Sequence, residues 1–164
     1  MTEKELLIGE IKKESANTRI MLQRLEDHHL SWKPHEKSYA TAALAQHIAN
    51  IPIWISIILT TDGLDLAKPL PKNDPPTSAS ALMAFFEERL TGCFAALEKV
   101  DDLLLEKIWT LSNGDKTIVK APKKIVIRYF ALNHIVHHRG QLSVYLRLQD
   151  IPVPGMYGAS ADEK

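Results

Sequence analysis

Apolar residues near the start of the chain recur at helical intervals: Leu7, Ile11, Ile20, Leu22 and Leu25 stand between charged neighbours. Thr2 and Glu5 have the spacing of a capping box, so the pattern predicts helix 1 from Glu3 to Asp27. The segment HHLSWKPHEKSY interrupts it, because Pro34 cannot sit inside a helix and Ser38 can cap the next one. A second stripe, Ala40, Leu44, His47, Ile51, Trp54 and Ile58, predicts helix 2 from Tyr39 to Thr61. Asp62-Gly63 should stop it, with the glycine in the left-handed conformation. Pro52 lies inside this helix and has no N–H for the carbonyl of Ile48, so a bend is expected one turn after His47.

The stretch GLDLAKPLPKNDPP, Gly63 to Pro76, is too rich in proline for regular structure and reads as a long crossover loop. Thr77 or Ser78 can cap helix 3, whose stripe of Leu82, Phe85, Phe86, Leu90, Phe94 and Leu97 runs to Val100. Asn113-Gly114 between Ile108-Trp109-Thr110 and Thr117-Ile118-Val119 predicts a small hairpin. Pro122 opens helix 4, which extends to Gln149 before the irregular tail IPVPGMYGASADEK. Four apolar stripes are buried most simply in an all-α four-helix bundle, with the crossover loop between helices 2 and 3 and the hairpin before helix 4. The expectation is a single domain spanning residues 1–164.

Composition narrows the function. Lys and Arg number 20, as do Asp and Glu, so no excess field draws in nucleic acid or anionic lipid. The apolar run from Ala40 to Leu59 has the length of a membrane span, but Gln46, His47, Asn50 and Pro52 are costly in hydrocarbon and favour a buried helix. No export signal is visible in the charged N-terminus, and a lone Cys93 excludes an internal disulfide and a cysteine zinc cage, which suits the cytoplasm.

The candidate chemistry lies in histidines. On helix 4, Ile127, Phe130, Ala131, His134, His138, Leu142 and Tyr145 follow at intervals of three and four, so His134 and His138 interrupt the core-facing stripe. Residues four apart lie one turn above each other, close enough for two imidazoles to share a metal. His47 points inward from helix 2 by the same count. An unpaired buried imidazole costs about 1–3 kcal/mol, and three converging imidazolium charges would repel; a divalent ion uses each neutral ring's lone pair. Taken alone, His47 also reads as a satisfied core histidine and the HxxxH pair as an ordinary helix feature, while His137 competes with His138 for the ligand position. His28, His29 and His35 fall in or near a loop and read as solvated; Glu87, Glu88 and Glu98 read as the wet face of helix 3. No HExxH, phosphate loop or nucleophile elbow is present.

At HIVHHRGQLSVYLRL followed by IPVPGMYGASADE, the sequence resembles the DinB family of the DinB/YfiT-like metalloenzymes. The resemblance runs from the WKP segment around Trp32 to the tail. It implies a metal site formed by His47, in LAQHIAN, with His134 and His138, in HIVHHRGQ. It also implies a bundle with a long connection between helices 2 and 3, a homodimer and a stress-response setting without DNA binding. Relatives with known activity include transferases that use mycothiol, bacillithiol or glutathione. The reading that follows is a metal-dependent enzyme acting on a small molecule, with a low-molecular-weight thiol as co-substrate. A metal-dependent hydrolase and a non-catalytic, metal-binding dimeric interaction module are the alternatives. Imidazole ligands suit zinc, nickel, iron and copper alike. Gln141, one turn beyond His138, can orient the ligand or a bound water, with a helix packing contact as its plainer role; Tyr145 and Arg139 carry weaker claims. Cys93 is a poor candidate nucleophile, lying on another helix without a motif.

Overall fold

The computed structural model describes residues 1–70 and 74–163. Thr2 accepts from the Glu5 backbone N–H while its own N–H donates to the Glu5 carboxylate, closing the expected capping box on α1, Glu3–Leu22. Leu7, Ile11, Leu22 and Leu25 are buried as the stripe requires, but Ile20 is exposed. The helix stops at Leu22, short of the predicted Asp27, and a single 3₁₀ turn follows at Asp27–His29. Asp27 is engaged elsewhere: its Oδ1 accepts from the Ala79 N–H at 2.7 Å, at the start of a distant helix.

The predicted second helix is two, α2 at Thr41–Asn50 and α3 at Pro52–Thr60. Pro52 cannot donate to the Ile48 carbonyl, and Ile51 N–H takes that acceptor instead in a tighter turn, 3.2 Å. This stretch is long and apolar enough by composition to cross a membrane. Here α2 packs on α4 (Ala79–Glu98) and on the last helix, and α3 packs on α4.

Gly63 departs from expectation. Its φ is not positive; it opens β1, Gly63–Asp65, which pairs in parallel with β2, Ile108–Asn113. A Cβ there would stand 2.6 Å from the Thr110 carbonyl oxygen, so close strand approach demands the glycine. The crossover loop therefore begins as a strand, while Pro71, Lys72 and Asn73 within it lie outside the described residues. Ser78 caps α4, accepting from Ala81 N–H. After α5, Asp102–Leu105, the expected hairpin joins β2 to β3, Lys116–Pro122, with Gly114 at φ 59° in its turn. The chain is thus mostly helical with a small three-stranded sheet in the order β1-β2-β3, which corrects the all-α expectation. The sheet docks on the end of α3: Trp109 donates to Thr61 Oγ1, and buried Lys123 donates to the carbonyls of Leu59 and Thr61.

Helix 4 of the sequence is also subdivided. Following α6, Lys123–Ile127, a widened π turn at Arg128–Leu132 leads into α7, Asn133–Leu148. Buried leucines, isoleucines, Phe86 and Trp109 from the helices and β2 form the core, with partly buried Leu64 of β1 and Val119 of β3 packed against it. One polar set lies beside it, with the exposed Tyr157 at its outer edge. Arg139, 2 % exposed, donates to the Glu14 carboxylate and carbonyl, to Thr18 Oγ1 and to the Tyr157 hydroxyl. That hydroxyl in turn donates to Glu14, tying α1, α7 and the tail together. Replacing Arg139 with leucine leaves the Glu14 carboxylate buried without its cation, and equilibrium urea unfolding at pH 7 should show a loss of about 3–5 kcal/mol.

Candidate metal centre

His47 comes from the second turn of α2, and His134 and His138 from consecutive turns at the start of α7. The packing of α2 on α7 turns all three rings toward one point. His47 Nε2 lies 3.1 Å from His134 Nε2, which lies 2.7 Å from His138 Nε2. The ring centroids are 4.5–4.9 Å apart, and one ligand nitrogen from each residue lies within 4.8 Å of the others. Among the described residues this is the only cluster of at least three such side chains suited to hold a metal.

Hydrogen bonding alone does not satisfy this arrangement. A neutral imidazole nitrogen has one in-plane site, either an N–H or a lone pair, and His134 Nε2 faces two neighbours at once. Whichever state it takes, one contact is left unmatched. Adding protons is unfavourable: burial, with His138 and His134 nearby, pushes the His47 ring down to about 4, and burial, with His138 next to it, lowers His134 as well. Near pH 7 the His47 and His134 rings therefore favour the neutral form and can offer lone pairs.

The outer edges of the rings are arranged to match. His138 Nδ1 meets Gln141 Oε1 at 2.7 Å, an acceptor that places the proton on Nδ1 and the lone pair on Nε2. His134 is held by the backbone carbonyl of Phe130, inside the π turn, and this likewise leaves Nε2 to the cluster. A tetrahedral ion with bonds of about 2.0–2.1 Å sets its ligand nitrogens about 3.3 Å apart; the His47–His134 pair at 3.1 Å is close to that spacing, and the His134–His138 pair at 2.7 Å would open by about 0.6 Å to reach it. The donor set fits a divalent transition metal.

Gln141 also separates the competing histidines. Its amide nitrogen lies 3.1 Å from His137 Nε2, so that nitrogen is engaged by Gln141, and His137, exposed with its ring 4.8 Å from that of His138, is not one of the three converging residues. Arg139 belongs to the buried Glu14 network and not to the site. The Tyr145 hydroxyl donates to the Tyr39 carbonyl at 3.1 Å, and its ring meets Trp32 edge-on. Cys93 is fully buried in α4, where desolvation pushes its thiol up to about 12, an unreactive state. The loop histidines have other roles: His29 Nδ1 accepts from Glu26 N–H, and His35 Nδ1 accepts from Lys37 N–H.

Beside the cluster opens a cleft of about 430 Å³ lined by Lys37, Ser38, Tyr39, Leu44, His138, Gln141, Val144 and Tyr145. Periodicity gave no sign of its loop wall, Lys37 to Tyr39, which packing alone brings to α7. A larger groove of about 630 Å³ between α3 and α4 includes none of the three histidines.

The sequence pattern of the DinB family matches residues 1–164. The chain belongs to the DinB family. It is 26% identical over 156 residues to the uncharacterized protein YrdA of Bacillus subtilis strain 168, an alignment that covers 92% of this chain and 85% of YrdA. A DinB-like protein from Bacillus cereus ATCC 10987, known from its crystal structure, superposes with a TM-score of 0.69 at 27% identity, covering 89% of this chain and 92% of that one. The DinB-like protein YjoA of Bacillus subtilis matches with a TM-score of 0.70, covering 97% and 99%; at 16% identity it speaks to the DinB fold alone.

Two variants separate the ligands from their neighbour. After incubation with zinc and desalting, elemental analysis should find stoichiometric metal in His137→Ala and near-complete loss in His47→Ala. Retained metal in His47→Ala would remove that residue from the set.

Proposed function

We propose that the chain is a metal-dependent enzyme in which His47, His134 and His138 hold a divalent ion, and that it transfers a low-molecular-weight thiol to a small electrophilic substrate. The observation that carries the reading is the convergence of three imidazole Nε2 atoms beside an open cleft. Three protein ligands leave a coordination position for an exogenous group, as catalytic sites require. When bound, the ion supplies a Lewis acid that keeps a thiol deprotonated near neutral pH.

The chain's own residues do the rest. Phe130 and Gln141 fix the rings of His134 and His138, while Leu44, Val144 and Tyr145 give the cleft an apolar wall that limits water around the reacting sulfur. In the transfer, sulfur forms a bond to the electrophilic carbon, the leaving group departs with its electron pair, and the thiol proton passes to solvent. The thiol itself is inferred from the family resemblance.

Metal-assisted hydrolysis is less well supported, since among the described residues no carboxylate lines the cleft to act as general base. A non-catalytic binding module would have no use for the cleft beside the ligands. The reading also takes the chain to be a single domain that works as a homodimer, by family resemblance, in the cytoplasm, where a lone buried thiol is at home.

Thermal unfolding with a panel of glutathione, cysteine and 2-mercaptoethanol tests the thiol. Each should raise the melting temperature of zinc-loaded protein and leave metal-free protein unchanged. A panel that shifts neither form would contradict the transferase reading.

A further inference from the structure

The cleft beside His138 has an uneven distribution of uncommitted polar groups. Both ends of the Gln141 amide are engaged, by His138 and His137, and the Tyr145 hydroxyl is bonded to the Tyr39 carbonyl. Leu44 and Val144 are apolar. Among the lining residues, the groups left for a ligand are the Lys37 ammonium, the Ser38 hydroxyl and the Tyr39 phenol. Lys37 is exposed, takes part in none of the ion pairs among the described residues, and is the only Lys, Arg, Asp or Glu among the described lining residues. Among the described residues no acidic side chain lines the cleft to offset it.

A ligand that fills this space meets the histidine cluster at one side, an apolar and aromatic wall along Leu44, Val144 and Tyr145, and a cation at Lys37. A volume of about 430 Å³ is within the range of small-molecule sites. We infer that Lys37 is a specificity-determining residue that selects ligands bearing a carboxylate, the anion reaching Lys37 while the metal-binding head sits at His138. The inference rests on the metal-site reading above, and it names the charge class of the ligand. Ser38, adjacent to Lys37, supplies a hydroxyl donor for the same carboxylate. A cationic ligand gains nothing in this cleft and is repelled at its only charged wall.

The test uses the cobalt-substituted protein, whose visible spectrum reports a new ligand on the metal independently of turnover. Three thiols of similar size are titrated: 3-mercaptopropionate, 2-mercaptoethanol and cysteamine. A second pair carries no thiol: succinate monohydroxamate and acetohydroxamate. In the native protein the carboxylate-bearing member of each set should bind about tenfold more tightly than its neutral counterpart, with cysteamine weakest. Lys37→Gln should remove that preference, leaving 2-mercaptoethanol and acetohydroxamate affinities unchanged, and Lys37→Arg should restore most of it. Equal affinities within each set, or a preference that survives Lys37→Gln, would overturn the inference. If the hydroxamates show the preference while no thiol ligates, the thiol reading fails and the role of Lys37 stands. If cobalt binds and no probe ligates it, the role of Lys37 fails with the metal-site reading intact. A protein that takes up no cobalt overturns both.

Discussion

A neutral imidazole nitrogen has one in-plane site, and that limit governs the centre of this protein. With His47, His134 and His138 directing Nε2 atoms at one another over 2.7 and 3.1 Å, no assignment of neutral tautomers satisfies both contacts. Protonation is opposed by burial and by mutual repulsion. A cation shared by three lone pairs resolves the conflict, and the partners on the far edges of the rings, Gln141 and the Phe130 carbonyl, hold His138 and His134 in the tautomers a cation needs.

The helices that carry these rings are irregular close to the site. Pro52 breaks the α2–α3 ladder just after His47, and the π turn at Arg128–Leu132 immediately precedes His134. The two irregularities face one another: Pro52, Ala131 and Leu132 line the same small pocket, with Ile51 and Ile55. Widened turns are frequent at functional sites because they free a carbonyl and re-aim side chains. Here the Phe130 carbonyl within the turn holds the His134 ring. The buried Arg139–Glu14 pair, about 100° around α7 from His138, fixes the rotation of that helix, so the next residue back, His138, faces the cluster.

Much of this was legible in the chain before folding. Helical periodicity placed His47, His134 and His138 on inward faces, and the missing N–H of Pro52 foretold an irregularity there, expected as a bend and found as a division into two helices. Asn113-Gly114 announced its hairpin. What periodicity could not supply came from contacts between distant segments. The parallel pairing of β1 with β2 depends on chain separated by more than forty residues, and Gly63 looked like a helix stop because its close approach to Thr110 has no local signature. The π turn reads as ordinary helix, since one extra residue in a ladder leaves no mark on composition. Arg139 seemed a site candidate beside His138, although one residue along a helix turns a side chain by about 100° and here directs it to Glu14. The end of α1 was overextended because Asp27 serves the first turn of α4.

Crystals of the protein soaked with zinc, measured on both sides of the zinc absorption edge, test the central claim most directly. The account predicts one strong anomalous peak about 2.0–2.1 Å from the Nε2 atoms of His47, His134 and His138. Three rings in ordinary hydrogen bonds with no peak between them, or a peak held by other residues, would contradict it.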